Sequence, residues 1–544
     1  MNKIIKKSVV VILSLVMCTS LFIGCSSKKT SSNNDKKEIT LCEGWNFDTG
    51  FFTVLSANNI GSNYGPINYL CNFYETLVNY ENGEVVPGLA KSWDISKDGL
   101  TYTFHLNEGI KFSDGEDFNA KAVKINLDNI PKLLGQFNGA YGTITTLLKE
   151  VNVIDEYTVA VNLTVPYYGA LQDFTLLLPM AIMSPNAYNE DGTLSELTKN
   201  KTLGTGPYMY DGQKNGETYT FVRNTEYNRQ KPDVDVFHVK VIPDNDSKIL
   251  ALRSGEIDAV IGSPNISYDS YKELSEGKKY GVKVSDAIIQ TRLMGINLSK
   301  KPFDDKAVRL AINYAIDKDE ISNSLFYGIE KKADVILNNT LPYCDVNIES
   351  YTYDPEKAKK ILEDNGWVDN DGDGIREKDG IKLTGEILYT SGTAMIEDLS
   401  LSVANYLKDV GISVKTTGME MMTQFRTIAS NEFTMAMQVT NPIPYDPYLF
   451  MGRLNTEPLR DNLVAQGLKH INNASEIINK LTSMTDKKEI QETYDYIIKE
   501  VNNNGALIPL TNVKGLAIFN KKVIKDYKFF GHPDFPNVAN FILK

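Results

Sequence analysis

Residues Ile381–Val439 read IKLTGEILYTSGTAMIEDLSLSVANYLKDVGISVKTTGMEMMTQFRTIASNEFTMAMQV. Short apolar runs here alternate with longer runs whose apolar residues recur at helical spacing. The pattern predicts strand, helix, strand, helix and strand, at Ile381–Thr390, Met395–Asp409, Ile412–Thr416, Met419–Ala429 and Phe433–Val439. Such units favour an α/β lobe with a largely parallel sheet.

The predicted secondary structure differs upstream of this stretch. Asp304–Ile316 is predicted to be helical, and Asp354 is predicted to cap another helix that stops at Gly366. Nearer the N-terminus, Thr101–Leu106 alternates polar and apolar residues, as a half-buried strand does. The N-terminal third is richer in strands and hairpins. The sequence therefore predicts two lobes that differ in secondary-structure content.

The first residues have the pattern of an export signal. Lys3, Lys6 and Lys7 precede an apolar run from Ser8 to Gly24, which is shorter than the roughly 20 residues that span a bilayer. Phe22-Ile23-Gly24-Cys25 resembles a bacterial lipobox, which implies that Cys25 carries lipid on the extracytoplasmic face of the cell membrane. The alternative is an ordinary cleaved signal. The polar residues that follow suit a flexible tether.

Composition and motifs argue against several classes of protein. The net charge of -12 argues against a nucleic-acid surface. After the signal, Cys42, Cys71 and Cys344 are left, widely spaced, so three buried thiols are expected rather than a disulfide framework. No catalytic serine elbow, phosphate-binding loop, zinc-protease motif or dinucleotide fingerprint occurs in the sequence, and an enzyme is not predicted.

Several segments, in this order along the chain, resemble the family 5 extracellular solute-binding proteins, which serve dipeptide, oligopeptide and nickel importers. They are Val86–Trp93, Lys111–Glu116, Gly204–Tyr208, Ile242–Asp244, Gly255–Asp258 and Ala307–Asp317. The resemblance runs from about residue 38 to the end. Within the family, Leu325–Gly328, Tyr353–Ala358, Pro444–Pro447 and Ala465–Leu468 look most like the nickel-importer branch.

The resemblance implies a fold and a division of the chain. The fold is α/β and periplasmic-binding-protein-like, of type II in the large cluster with an extra subdomain. Two lobes with mixed sheets are joined by hinge segments near Gly262 and Asn504 and close around a ligand. The implied division is a signal peptide at 1–24, a lipid-anchored tether at 25–38, lobe I with a strand-rich subdomain at 39–264, lobe II at 265–504 and a return to lobe I at 505–544.

The family pattern leaves the ligand open between a peptide and a metal chelate. Peptide-binding members usually place an aspartate three residues before an Asp-Pro pair, to hold the peptide's ammonium group. Here the pair is Asp446-Pro447 and the earlier position is Ile443. This departure counts against a linear peptide.

The nickel branch is not matched cleanly either. Its members commonly have an arginine, a tryptophan and a histidine at positions that here hold Leu178, Asn441 and Leu459, whereas Tyr445 matches the family tyrosine. The resemblance therefore implies a nickel-like scaffold with an altered pocket, in which Asn441 and Tyr445 are candidate cleft residues.

The histidines do not form a metal site of their own. His105, His238, His470 and His532 are far apart in sequence, so a chelator would have to supply most nickel ligands, with His470 as the candidate to join them. An anionic chelate would call for arginine, and further candidates for the cleft are aromatic or polar. These candidates are Arg292, Arg453, Arg460, Trp45, Asn46 and Tyr141. For each residue, core packing or surface pairing is the alternative.

The segment Asp369–Gly374, DNDGDG, resembles the start of an EF-hand loop, with Asp369, Asp371 and Asp373 as possible ligands of a structural calcium ion. The twelfth position is Gly380 instead of glutamate, so an acidic surface turn is the default. No other cofactor is predicted.

Together these features predict a monomeric, membrane-anchored lipoprotein that delivers a small solute to the permease subunits of an ABC importer. A nickel chelate is the favoured cargo and a short peptide is the alternative.

Overall fold

A computed structural model describes residues 36–54, 64–393, 395–456 and 461–544. The signal segment, the lipidation residue Cys25, most of the tether, Leu459 and Arg460 lie outside these ranges. No helix in the described part of the chain has the length and apolar character needed to cross a membrane.

The first lobe is built on a four-stranded sheet of order β1-β10-β9-β8. Strand β1 runs parallel to β10, and the other neighbours are antiparallel. Aromatic rings such as Phe73, Phe221 and Phe237 stack beneath this sheet and fill the first-lobe core. The strands are β1 Glu38–Glu43, β8 Tyr208–Asn215, β9 Thr218–Arg223 and β10 Val236–Val241.

A strand-rich subdomain has its own core and an antiparallel sheet of order β4-β5-β7-β6. The predicted strand Thr101–Leu106 is confirmed as β5, with Tyr102, Phe104 and Leu106 buried. A hairpin of β2 and β3 lies beside the sheet. The strands are β2 Val78–Glu81, β3 Glu84–Pro87, β4 Ala90–Ile95, β5 Thr101–Leu106, β6 Leu148–Asp155 and β7 Thr158–Leu163.

The second lobe is built on a seven-stranded mixed sheet of order β11-β19-β12-β18-β16-β17, with β13 paired to β19. Strand β16 is parallel to both β17 and β18, which confirms the parallel units predicted for Ile381–Val439. The strands are β11 Ala259–Ile261, β12 Tyr280–Ile296, β13 Lys331–Lys332, β16 Thr384–Thr390, β17 Ser413–Met419, β18 Met435–Val439 and β19 Leu507–Asn520.

Helices pack against these sheets and begin largely where the sequence predicts. Asp305 and Asp354 accept hydrogen bonds from the first turns of α6 and α8 and so cap them. The helices are α1 Tyr64–Tyr69, α2 Ala120–Leu134, α3 Ala170–Asp173, α4 Asn245–Ser254, α5 Tyr268–Ser275, α6 Lys306–Ala315, α7 Lys318–Ser324, α8 Pro355–Asp364, α9 Ile396–Lys408, α10 Met421–Ala429, α11 Tyr448–Arg453, α12 Ala474–Thr482 and α13 Lys487–Asn504.

Two short hairpins complete the described elements. The predicted strand Ile381–Thr390 is split, because its first two residues form β15 and pair with β14. The other hairpin returns the chain's end to the first-lobe core. These strands are β14 Glu377–Lys378, β15 Ile381–Lys382, β20 Ile524–Tyr527 and β21 Phe541–Leu543.

Two stretches of the chain contribute side chains to both cores. Ile261 packs in the first-lobe core and Ile266 in the second-lobe core. Strand β19 pairs with β12 in the second lobe, but its Ala517 and Phe519 pack in the first-lobe core. The predicted boundaries at 264 and 504 remain predictions. Cys42, Cys71 and Cys344 are buried free thiols, as expected.

Candidate functional site

Residues from both lobes and from the C-terminal segment enclose a cavity with an empty volume of about 560 Å³, which we call the interlobe cavity. Its walls are mostly apolar, as expected for a small-molecule site. The residues that the following argument uses are Thr76, Asn79, Tyr80, Leu178, Pro444, Tyr445, Phe530, His532 and Phe535.

Two hydrogen bonds join the segments on opposite sides of this cavity. The Tyr445 hydroxyl donates to the Leu178 carbonyl oxygen at 3.0 Å, and the Gln172 side-chain amide donates to the Pro444 carbonyl oxygen at 2.9 Å. The structure thus brings the predicted cleft residue Tyr445 together with Leu178, where the nickel branch commonly has arginine. The Leu178 side chain is buried and lines the cavity.

His532 provides a metal-ligating group in the wall of this cavity. It is buried, and its ring stacks on Phe535 with centroids 3.9 Å apart. Its Nδ1 has no hydrogen-bond partner among the described residues. Burial lowers the pKa of the imidazole from 6.5 to about 4, so the ring is neutral at physiological pH. A neutral imidazole is the form that binds a transition metal.

The described lining of the interlobe cavity carries no charged side chain. Its polar groups are the hydroxyl, amide and imidazole groups of residues such as Thr76, Asn79, Tyr80 and His532. Burying an unpaired charge against such a wall is costly. The cavity therefore suits a cargo of low net charge.

A second cavity, of about 920 Å³ empty volume, lies at the carboxyl ends of β16 and β18; we call it the second-lobe cavity. Ligands of open α/β sheets commonly bind at this end of the strands. Phe425 on α10 is 60% exposed beside it. The lining also includes Arg292, Thr390, Gln424, Gln438 and Asp461.

Both candidate arginines in the described chain are held by internal partners. Arg292 is buried and donates to both Glu330 carboxylate oxygens, each at 3.0 Å. Arg453 donates to Asp461 at 2.7 Å and to the Asn441 side-chain oxygen at 2.9 Å. The structure thus brings Arg453 and Asn441 together and satisfies their charges and polar groups without a ligand.

The remaining cleft candidates do not line either cavity. Trp45 and Asn46 follow β1, which ends at Glu43, and their side chains are exposed. Tyr141 packs between the cores of the first lobe and the strand-rich subdomain. His470 uses both ring nitrogens, one 3.1 Å from Glu500 and the other 2.9 Å from Asn504.

The acidic loop is exposed on the second lobe. One oxygen each from Asp369, Asp371 and Asp373 lies within 4.8 Å of the others. The Lys382 ammonium group donates to Asp371 at 2.7 Å and also to Asp373. Structural calcium remains a prediction, and Lys382 already balances part of the negative charge there.

Sequence reasoning missed His532 and Phe425. Neither belongs to a recognisable motif, and His532 is 87 residues beyond Tyr445 in the chain. One signal could have pointed to His532: residues 505–544 were predicted to return to the first lobe. A segment that returns beside the cleft can contribute residues to the lining of the cleft.

Comparison with known proteins agrees with this architecture. Residues 84–462 match the model of the bacterial extracellular solute-binding proteins, family 5. The nickel-binding periplasmic protein of Escherichia coli is 28% identical over 447 residues, covering 82% of this chain and 84% of that protein. The oligopeptide-binding protein AppA of Bacillus subtilis is 25% identical over 518 residues, covering 91% of this chain and 92% of that protein.

A solved structure shows the same fold. NikA from Brucella suis in complex with Fe(III)-EDTA has a TM-score of 0.84 and 29% sequence identity, and the match covers 93% of this chain and all of that one.

The fold and the cleft define a two-lobed solute-binding protein of the type that serves transport. More specifically, the chain belongs to the bacterial extracellular solute-binding proteins of family 5, as its sequence predicted. Its relatives include a nickel-binding protein, an oligopeptide-binding protein and a protein solved with Fe(III)-EDTA.

Proposed function

We propose that this chain is an extracytoplasmic lipoprotein that captures a nickel chelate of low net charge between its lobes and delivers it to an ABC permease. The observation that carries the proposal is the interlobe cavity, which combines an uncharged described lining with the neutral imidazole of His532. Closure of the lobes around the chelate is stabilised by contacts that only the closed form makes.

The composition of the cavity indicates which part of the complex the protein contacts. One imidazole cannot replace the several nitrogen or oxygen donors that Ni(II) prefers, so the chelator keeps most coordination positions. Two amino-acid carboxylates neutralise Ni(II), and a bis(histidine) complex therefore carries no net charge. Such a complex enters an apolar cavity without leaving an unpaired charge there.

A peptide cargo is the alternative, and the family includes such proteins. The second-lobe cavity is large enough for apolar side chains of a peptide. However, Ile443, which stands where peptide-binding members usually place their aspartate, is buried and apolar. It cannot hold an ammonium group.

The cargo is tested by calorimetry on the purified chain. We expect Ni(II) with two equivalents of L-histidine to bind, and free Ni(II), dipeptides and oligopeptides to bind more weakly. His532→Asn should weaken chelate binding about 10–100-fold. His470→Asn serves as the matched control, because that ring is already satisfied by Glu500 and Asn504. Binding of peptides but not of the chelate would refute the proposed cargo.

The lipid anchor is tested separately in intact cells. Cys25→Ser removes the thiol to which lipid would be attached. We expect the parent protein to sediment with membranes and the variant to be released into the medium or the periplasm. Equal membrane attachment of both proteins would contradict the anchor.

A further inference from the structure

A turn near the C-terminus forms one wall of the interlobe cavity. Phe530, Gly531, His532 and Phe535 line the cavity. The Phe535 backbone N–H donates to the His532 carbonyl oxygen at 3.0 Å, which closes the turn. The position of the His532 ring is therefore set by the position of the turn as a whole.

The carboxylate of Asp534 fixes this turn to Ser263, which follows the hinge predicted near Gly262. It accepts from the Ser263 backbone N–H at 2.7 Å and from the Ser263 hydroxyl at 3.0 Å. Ser263 lies between Ile261, in the first-lobe core, and Ile266, in the second-lobe core. Gly262 reaches this arrangement with a φ of +102°, a backbone conformation that favours glycine.

The same turn also contacts β19. A Cβ placed on Gly515 of β19 would lie 2.4 Å from the Pro533 Cβ, so only glycine admits this close approach. The next residue, Leu516, packs in the second-lobe core, and Ala517 packs in the first-lobe core. The turn therefore touches two stretches, residues 261–266 and β19, whose side chains pack in both cores.

We propose that the turn Phe530–Phe535 couples cargo contact to lobe closure, and that Asp534 is the positioning residue that fixes the turn to Ser263, beside the hinge predicted near Gly262. The inference rests on the proposed function insofar as the cargo occupies the interlobe cavity. A cargo that contacts His532 and Phe535 holds the turn. Through Ser263 and Gly515, the turn then holds the hinge predicted near Gly262 and the adjoining part of β19 in the arrangement of the closed form.

The test compares two carboxylates that make the same pair of hydrogen bonds. Asp244 accepts from the Ser247 backbone N–H at 2.8 Å and from the Ser247 hydroxyl at 2.7 Å, but it caps α4 and does not line the cavity. Asp534→Asn and Asp244→Asn therefore alter a carboxylate with the same pair of hydrogen bonds at a coupling position and at a control position. Distances between spin labels at the exposed positions Lys480 and Lys525 report the separation of the lobes.

We expect Asp534→Asn to broaden the distribution of label distances without cargo, and to release Ni(II)-bis(L-histidine) about tenfold faster than the parent. Asp244→Asn should match the parent in both measurements. Unchanged distances in Asp534→Asn, or an equal shift in Asp244→Asn, would overturn the coupling.

The same measurements distinguish a wrong cargo from a wrong coupling. If the parent does not bind the nickel chelate, the cargo is wrong, and the distances in the cargo-free proteins still decide the coupling. If Asp534→Asn does not fold, Ser263→Ala removes only the hydroxyl donor and Ser263→Thr restores it. Ser263→Ala should broaden the distances and Ser263→Thr should restore them; parent-like distances in Ser263→Ala would refute the coupling.

Discussion

At the scale of single residues, burial decides the charge of two side chains beside the cleft. It lowers the pKa of His532 to about 4 and raises the pKa of Asp446 to about 8. Both are therefore largely neutral near pH 7, although exposed aspartates are ionised there. Of the two, only His532 lines the interlobe cavity, and its neutral ring favours a cargo of low net charge there.

Asp446 gives stability a pH dependence that can be measured. Because burial raises its pKa from 3.8 to about 8, the folded protein binds a proton that the unfolded chain has released between these values. The free energy of unfolding should therefore fall as pH rises through this window. Asp446→Asn should remove this dependence and exceed the parent by at least about 1 kcal/mol at pH 8. Denaturant titrations of both proteins at pH 5 and pH 8 measure their free energies of unfolding. A difference between variant and parent that is the same at both pH values would contradict the prediction.

Leu178 is a residue-scale determinant of the cargo's charge. Leu178→Arg adds a cation to the wall of the interlobe cavity, while the backbone carbonyl that binds Tyr445 is kept. We expect an anionic Ni(II)-citrate complex to bind about tenfold more tightly than to the parent, because guanidinium pairs with carboxylate. Leu178→Met is the uncharged control. A gain in calorimetric affinity for both variants, or for neither, would contradict this role.

At the scale of secondary-structure elements, glycines and caps end the helices of the second lobe where the sequence predicts. Gly411 follows α9 with a φ of +88°, and its N–H donates to the Lys408 carbonyl oxygen at 3.0 Å. Gly411 ends this turn, and β17 begins two residues later at Ser413. This sharp reversal is what places β17 parallel to β16.

Gly411→Ala should lower the free energy of unfolding by about 1–2 kcal/mol. A Cβ there would lie 2.7 Å from the Arg376 side chain and would also strain the backbone. Gly380→Ala is a matched control, since Gly380 has a φ of +76° but no described atom within 4 Å of the Cβ position. Chemical denaturation of both variants separates the clash from the backbone strain. An equal loss of unfolding free energy in the two variants would contradict a contribution from the clash with Arg376.

At the scale of the whole molecule, an aromatic contact joins the strand-rich subdomain to the second lobe. Tyr168 packs on the subdomain core, and its hydroxyl lies 2.8 Å from the Tyr494 hydroxyl in the second lobe. Its ring centroid is 5.1 Å from that of Tyr448 and 6.1 Å from that of Tyr343. The two parts thus share a contact of their own, outside the lining of the two cavities.

Tyr168→Phe should weaken this closed arrangement by about 1 kcal/mol, because one hydrogen bond between the two parts is lost. Stopped-flow measurements should show a release of Ni(II)-bis(L-histidine) about fivefold faster. Tyr102→Phe removes a hydrogen bond to the Tyr167 carbonyl oxygen within the subdomain, at 3.3 Å, and should change stability without changing release. Equal release rates for the two variants would contradict a role in closure.

Local patterns made much of the second lobe predictable. The strands and helices of Ile381–Val439 follow hydrophobic periodicity, glycine stops and caps, which act over a few residues. The strand Thr101–Leu106 was predictable for the same reason. The split at Lys382 was not, because Ile381 and Lys382 turn back to pair with Glu377–Lys378.

The sequence by itself determined the family, the two-lobed α/β architecture and the prominence of Tyr445, since these depend on local periodicity and on motifs in a fixed order. Only the tertiary structure decided which polar groups remain available at the cleft. It pairs Arg292 with Glu330 and Arg453 with Asp461, and it brings His532 to the wall that Tyr445 and Leu178 share. Pairing and burial depend on residues far apart in the chain, and no spacing in the sequence records them.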